Sequence, residues 1–213
     1  MLSEKEMSWD ETFMNVAREM ATHSTCCRWN VGAALVRDRR ILSTGYNGSP
    51  QGRDHCVDIV RREVARGIHP SPNLSAMSLG LGIYVNLFGE KFVFKTDDLS
   101  MEMLHSHNFG EFAVFDLITQ KAIKDGWINK WHSEWSDTHE LHAEVNCMGW
   151  AAREGIKTCG STLYVTLSPC VHCAKVMLAA GITRVVYSGP DRTDKKDDGI
   201  TLLHKNKVEL RRI

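Results

Sequence analysis

The sequence carries no excess charge of either sign: 26 Lys and Arg stand against 26 Asp and Glu. Nucleic-acid polymers are held largely by neutralising phosphates, so bulk electrostatics gives no support to polymer binding. No uninterrupted apolar run reaches the roughly 20 residues that a membrane-spanning helix needs. The opening Met1-Leu2-Ser3-Glu4-Lys5-Glu6 is polar and has no apolar core segment, so no signal peptide is expected. Internal repeats and low-complexity tracts are also missing. The seven cysteines are an odd number, which fits poorly with a closed set of disulfides. A Cys-x-x-Cys accompanied by a His-x-Glu reads instead as metal chemistry in a reducing compartment, and a cytoplasmic location follows. A chain of 213 residues suffices for one α/β domain, here expected over 1–213 with an expanded insertion at about 53–131.

What is present concentrates between His142 and Cys173. The segment reads His142-Ala143-Glu144 and then Ser168-Pro169-Cys170-Val171-His172-Cys173. One imidazole and two thiols make three ligands for a transition metal, and Glu144 is a carboxylate not needed as a fourth. Structural zinc sites are usually closed by four protein ligands, whereas catalytic ones keep a position open for water. Three ligands and a spare carboxylate therefore favour hydrolysis over a structural clip. With a metal bound, the pKa of a water there falls towards about 7, and Glu144 can shuttle its proton. The bland alternative is a zinc clip with Glu144 as a solvated helix residue. His172 is not expected to bind metal, Cys147 and Cys159 read as small buried residues, and Arg153 reads as a charge favourable to a helix C-terminus.

The rest of the chain reads as scaffold around that segment. Apolar spacing over 8–22 predicts a helix, with Ser8 and Glu11 as a capping box. Val31–Val36 reads as a strand and Ile41–Gly45 as its hairpin partner, joined by a solvated basic tip at Arg37–Arg40. Tyr46-Asn47-Gly48-Ser49-Pro50-Gln51-Gly52 has the composition of a loop with unusual backbone angles. Helices are expected at about 56–67, where Arg61, Arg62 and Arg66 fall, and at Glu111–Lys124. Gly67–Asn73 reads as a break, and His105 and His107 as surface or packed histidines. From Glu140 onward the pattern alternates. A helix over Ala143–Arg153 ends near Gly155, and a strand spans Thr162–Leu167. A helix capped by Ser168, with Pro169 in its first turn, ends at Gly181. A strand at Arg184–Ser188, a short helix near 199–205 and an edge strand at Val208–Leu210 follow. Strands alternating with helices imply parallel pairing with helices on both faces.

Those residues carry a resemblance. His-x-Glu followed by Pro-Cys-x-x-Cys is the known signature of zinc deaminases. Thr25–Gly52 (TCCRWNVGAALVRDRRILSTGYNGSPQG) and His132–Ser188, including HSEWSDTHELHAEVN and LYVTLSPCVHCAK, are similar to the T-even bacteriophage type within the zinc-dependent cytidine and deoxycytidylate deaminase superfamily. The resemblance implies a three-layer α/β/α cytidine-deaminase-like fold with a central five-stranded mixed sheet. It implies conversion of dCMP to dUMP for dTMP synthesis, by a homohexamer in the cytoplasm (the host's, for a phage protein). It assigns Glu144 to catalysis and His142, Cys170 and Cys173 to zinc. Asn47, with Arg28, Asn30, Ala143, Ser168 and Pro169, would contact substrate, Asn47 at the deoxyribose 3′-hydroxyl and Arg28 and Asn30 near the phosphate. Gly45, Tyr46, Asn47, Gly48 and Arg153 would serve effector binding, with dCTP activating and dTTP inhibiting as magnesium complexes. A second zinc would use Cys26, His132 and Glu140, with Cys27 or His139 as the fourth ligand.

Two other readings compete. One is a deaminase of another substrate, such as 5-substituted dCMP, tRNA adenosine or single-stranded nucleic acid; neutral charge and the Gly-Tyr-Asn-Gly loop count against the polymer. The other is a non-catalytic nucleotide sensor, against which the intact Glu144 speaks.

Overall fold

The run Val31–Val36 carries no polar side chain, and such a run suits a strand covered on both faces. In the computed structural model it forms one, buried throughout. The structure describes residues 4–67, 83–94, 111–189 and 198–213. In chain order its elements are α1 (Glu4–Ala21), β1 (Gly32–Arg37), β2 (Arg40–Tyr46), α2 (Cys56–Gly67), β3 (Ile83–Leu87), β4 (Glu90–Phe94), α3 (Glu111–Lys124), α4 (Asn129–His139), α5 (Ala143–Arg153), β5 (Thr162–Val165), α6 (Val171–Ala179), β6 (Arg184–Tyr187), α7 (Gly199–Lys205) and β7 (Glu209–Arg212). The chain divides into two units, Met1–Gln51 with Glu140–Ile213, and Gly52–His139.

The first unit is built on a five-stranded sheet ordered β2-β1-β5-β6-β7. β1 runs antiparallel to both β2 and β5, while β5, β6 and β7 are parallel. The sheet is therefore mixed, as expected. Successive side chains of a strand face opposite ways, and both faces are covered. Ala33, Leu35, Leu163, Val165, Val185 and Tyr187 join a core with Cys147, Met148 and Ala151 of α5, Ala174 and Met177 of α6, and Leu203 of α7. Ala34, Val36, Tyr164 and Val186 pack instead against Phe13, Met14 and Ala17 of α1. Three layers result. Helix α1 comes so close to β1 that a Cβ on Gly32 would sit 2.0 Å from the Ala17 carbonyl oxygen.

The second unit pairs β3 with β4 as an antiparallel hairpin, and α2 packs with α3 and β3. Its aromatics stack. Phe88 lies 4.0 Å from Trp131 and Phe92 lies 4.9 Å from Trp127, ring centre to ring centre and nearly parallel.

Several local expectations give way. Helix α1 begins at Glu4, so Ser8 lies inside it and is not its N-cap. The cap of α6 is Cys170, whose sulfur accepts from the Cys173 N–H, so Ser168 and Pro169 precede the helix. Cys159 is exposed, not buried. The last strand starts one residue later than expected, at Glu209. The β3–β4 hairpin and α4 had no assigned place in the sequence reading. Residues 68–73, His105 and His107 lie outside the described residues.

One buried carboxylate joins α1 to three strands. Asp10 accepts from Arg184 Nη1 and Nη2 at 2.7 and 2.8 Å, from Arg211 Nη1 at 2.7 Å and from the Tyr164 hydroxyl at 2.7 Å. Burial alone would raise its pKa, but hydrogen bonds from Arg184 and Tyr164 and the charges of Arg184 and Arg211 hold it below the ordinary 3.8. A lowered folded-state pKa adds stability that is present well above the unfolded value and lost as pH falls through the folded one. Asp10→Asn leaves two half-buried guanidinium groups undercompensated, though Arg184 keeps Glu209, and its expected cost is about 2 kcal/mol at neutral pH. Urea unfolding measured from pH 7 down to pH 2 should show the gap between variant and wild type closing below about pH 4, where the carboxyl begins to protonate.

Candidate active site

Two helix starts, those of α5 and α6, bring their side chains together. His142 is the residue before α5, with φ −70° and ψ 149°, and its side chain takes no part in capping. Cys170 is the residue before α6. The His142 Nδ1 lies 3.5 Å from Cys170 Sγ and 3.3 Å from Cys173 Sγ. All three ligand atoms fall within 4.8 Å of one another. A tetrahedral zinc with bonds of about 2.0 Å to nitrogen and 2.3 Å to sulfur requires a nitrogen–sulfur edge of roughly 3.5 Å. The residues fit that ion.

The thiols report the same preference electrostatically. Cys170 is drawn down to about 3, first by the hydrogen bond it accepts from the Cys173 side chain, against burial, with His142 and the Cys173 N–H helping. Cys173 is pushed up by that same bond, by burial and by Glu144. Without a cation, one thiolate is tolerated and the second is not. A divalent metal removes that conflict because it binds both as thiolates. Cys147, raised to about 12 by burial, stays a neutral thiol in the core, as expected of it.

Glu144 occupies the first turn of α5 and is only 4% exposed. A side-chain hydrogen bond joins it to Cys173. A carboxylate at a helix N-terminus beside a metal-type cluster can hold and deliver protons.

The loop after β2 is fastened to the same place. Gly48 and Leu141 exchange both backbone hydrogen bonds, at 3.1 and 2.9 Å, directly before His142. Asn146 of α5 donates to the Tyr46 carbonyl at 2.9 Å. At Gly45 the helix touches the strand: a Cβ there would lie 2.4 Å from the Cys147 nitrogen and 2.6 Å from the Ala143 carbonyl oxygen. Asn47 is buried and braces the loop before β1. Its Oδ1 accepts from the Val31 N–H at 2.8 Å, and its Nδ2 donates to the Trp29 carbonyl at 2.8 Å.

The remaining sequence-derived residues fall as follows. Ala143, Ser168 and Pro169 are buried around the cluster's two helix starts, while Arg28 and Asn30 are exposed. Arg28 lies 6.0 Å from the centre of the Trp29 ring. Arg153 is exposed on α5 with its guanidinium 4.7 Å above Trp150. In the first unit Cys26 and Glu140 bring ligand atoms within 4.8 Å of each other. In the second unit Cys56 and His132, both buried, do the same. Cys56 escaped the sequence reading because His132, whose ligand atom it approaches, is far away in sequence. Cys27 is half-buried; His139 stacks 4.8 Å from Trp135 and is exposed.

Residues 7–189 match the family model of the cytidine and deoxycytidylate deaminase zinc-binding region. The chain belongs to this family. It is 34% identical to the deoxycytidylate deaminase of Enterobacteria phage T4 over 83% of this chain and 75% of that one. It is 30% identical to the deoxycytidylate deaminase of Mycobacterium phage D29 over 84% of this chain and 93% of that one. Its fold is similar to the crystal structure of dCMP deaminase from cyanophage S-TIM5 in complex with dCMP and dUMP, with a TM-score of 0.55 at 21% identity, covering 100% and 99% of the two chains. Deaminase-family membership and the nitrogen–sulfur spacing agree on zinc as the metal to test. Cys173→Ser should retain the fold by circular dichroism and lose most of the zinc from the His142 cluster. Metal analysis of the purified variant beside Cys159→Ser, whose thiol is outside the cluster, checks this.

Proposed function

We propose that the chain hydrolyses dCMP to dUMP and ammonia, supplying dUMP for dTMP synthesis. The observation that carries the reading is the buried Glu144, hydrogen-bonded to Cys173 beside the His142–Cys170–Cys173 cluster. Support for a monophosphate substrate comes from the relatives named deoxycytidylate deaminase and from the Gly45–Gly48 loop bound to Leu141.

His142, Cys170 and Cys173 would hold zinc, which when bound would supply Lewis acidity and lower the pKa of a water towards about 7. The Glu144 carboxylate takes a proton from the attacking water and gives it to ring N3 while the water oxygen bonds to C4. Glu144 then carries the second proton to the exocyclic nitrogen, the C4–N4 bond breaks, and ammonia leaves. One water is consumed for each dUMP formed. Burial of Glu144 suits this work because few solvent protons compete there. Asn47 holds the sugar at its 3′-hydroxyl. Ala143, Ser168 and Pro169 wall the base, and the exposed Arg28 and Asn30 reach the phosphate.

The same reading includes regulation. dCTP activates and dTTP inhibits, each with magnesium, through Gly45, Tyr46, Asn47 and Gly48 and through Arg153 of a homohexamer. Arg153 stands exposed on α5 with its guanidinium over Trp150, itself 48% accessible, so both side chains are available to a ligand. A second zinc would be held by Cys26, His132 and Glu140, with Cys27 or His139 as the fourth ligand; the approach of Cys26 and Glu140 within the first unit supports that half of the set. The site of action is the cytoplasm, where free nucleotides are made. Among the described residues no helix is long and apolar enough to cross a membrane.

Ammonia release from free dCMP, with and without dCTP or dTTP, tests the proposal. Turnover should be sigmoidal in dCMP, straightened by dCTP and suppressed by dTTP. A preference for a cytosine-containing oligonucleotide over dCMP would sink the substrate assignment. Glu144→Gln should lower kcat by at least about 10³-fold, with zinc content unchanged.

A further inference from the structure

Asn47 is held in a way that decides which end of its amide can meet a ligand. The oxygen and nitrogen of an asparagine amide are usually assigned from their partners. Here one partner is the Val31 N–H, 2.8 Å away, which can only donate, so the amide oxygen must face it. The Ser24 hydroxyl lies 2.7 Å from the same oxygen. That hydroxyl is 3.1 Å from the Asn47 carbonyl oxygen and 3.4 Å from the Trp29 carbonyl oxygen, and accepts from the Cys26 N–H at 3.2 Å. It has one hydrogen to give, and the shortest of its three acceptors is the Asn47 Oδ1. With both Oδ1 lone pairs occupied and one Nδ2 hydrogen given to Trp29 at 2.8 Å, the side chain retains a single N–H.

We infer that Ser24 is a positioning residue: it locks the Asn47 amide so that Asn47 meets the substrate only as a hydrogen-bond donor, to a sugar hydroxyl oxygen. This rests on the dCMP reading above. Ser24 itself touches no substrate. It lies 23 residues from Asn47 in sequence, and with Val31 and Trp29 it encloses the amide from three sides. The consequence is selectivity for a 3′-hydroxyl that can accept, enforced by a residue outside the contact.

The test compares dCMP with 2′,3′-dideoxycytidine monophosphate, which lacks the acceptor, in one preparation of each enzyme. Wild type should prefer dCMP in kcat/KM. Ser24→Ala should raise KM for dCMP about fivefold, the worth of one net hydrogen bond, with kcat within twofold and KM for the dideoxy nucleotide unchanged. Ser24→Thr, which keeps the hydroxyl, should retain the wild-type preference. Because the readout is a ratio within one sample, a partly unfolded variant does not disturb it. Equal rises of KM for both nucleotides in Ser24→Ala, or loss of preference in Ser24→Thr, would overturn the role of Ser24 while dCMP turnover by wild type keeps the proposed reaction. A wild type that releases no ammonia from dCMP overturns both.

Discussion

The arrangement depends on how closely α5 lies on β2. At Gly45 there is no room for even one methyl group between the strand and the backbone of the helix. That contact sets where α5 starts, and the start of α5 sets where His142 and Glu144 stand. The rest follows as reinforcement. The Gly48–Leu141 bridge fixes the residue before His142, Asn146 holds Tyr46, and Ser43 donates to the Cys147 carbonyl at 2.7 Å. A looser approach would move His142 and Glu144 together, and the proposed chemistry tolerates only small misplacement.

The second cluster of ligands is set by the parallel half of the sheet. β5 leads into Cys170 and α6, and the α7 start presses on that turn: a Cβ on Gly199 would lie 2.5 Å from both the Pro169 and Cys170 carbonyl oxygens. The cysteines are thus held from below by a strand and from the side by the C-terminal region. The Asp10 network then fastens β6 and β7 to α1, so the first and last elements of the chain share one buried charge. Such a carboxylate is valuable because two arginines and a tyrosine satisfy it; alone it would be costly to bury.

Most of the site was legible because its chemistry sits in short, closely spaced segments. His-x-Glu and Cys-x-x-Cys each occupy one helix start, so local sequence sufficed to single out the candidate ligands and the carboxylate proposed to move protons. Central strands were legible because β1 is apolar on both faces. Caps were less so: Ser168 has the right composition, yet the helix starts at Val171 and the Cys170 sulfur takes the role by accepting from the Cys173 N–H. Cys56 gave no signal because its neighbour His132 is far away in sequence. The β3–β4 hairpin and α4 were missed for a similar reason. Their register is marked by ring stacking between Phe88, Phe92 and the tryptophans of 127–135, a pattern of pairs that no single segment displays. The loop at Asn47 reads as an ordinary turn until its partners at Ser24, Trp29 and Val31 are known.

The Gly48–Leu141 bridge has a topological side as well. It closes the first unit on itself across the point where the chain departs after Gln51 and returns at Glu140. Exit and re-entry are neighbours, so everything between them is a single excursion from a unit that is already stitched shut. The entropy of closing a loop grows only slowly with its length, and the stitch is made by backbone atoms that ask nothing of the intervening sequence. A segment in that position is free to lengthen, shorten or acquire its own core while the residues that bracket the metal cluster stay where they are.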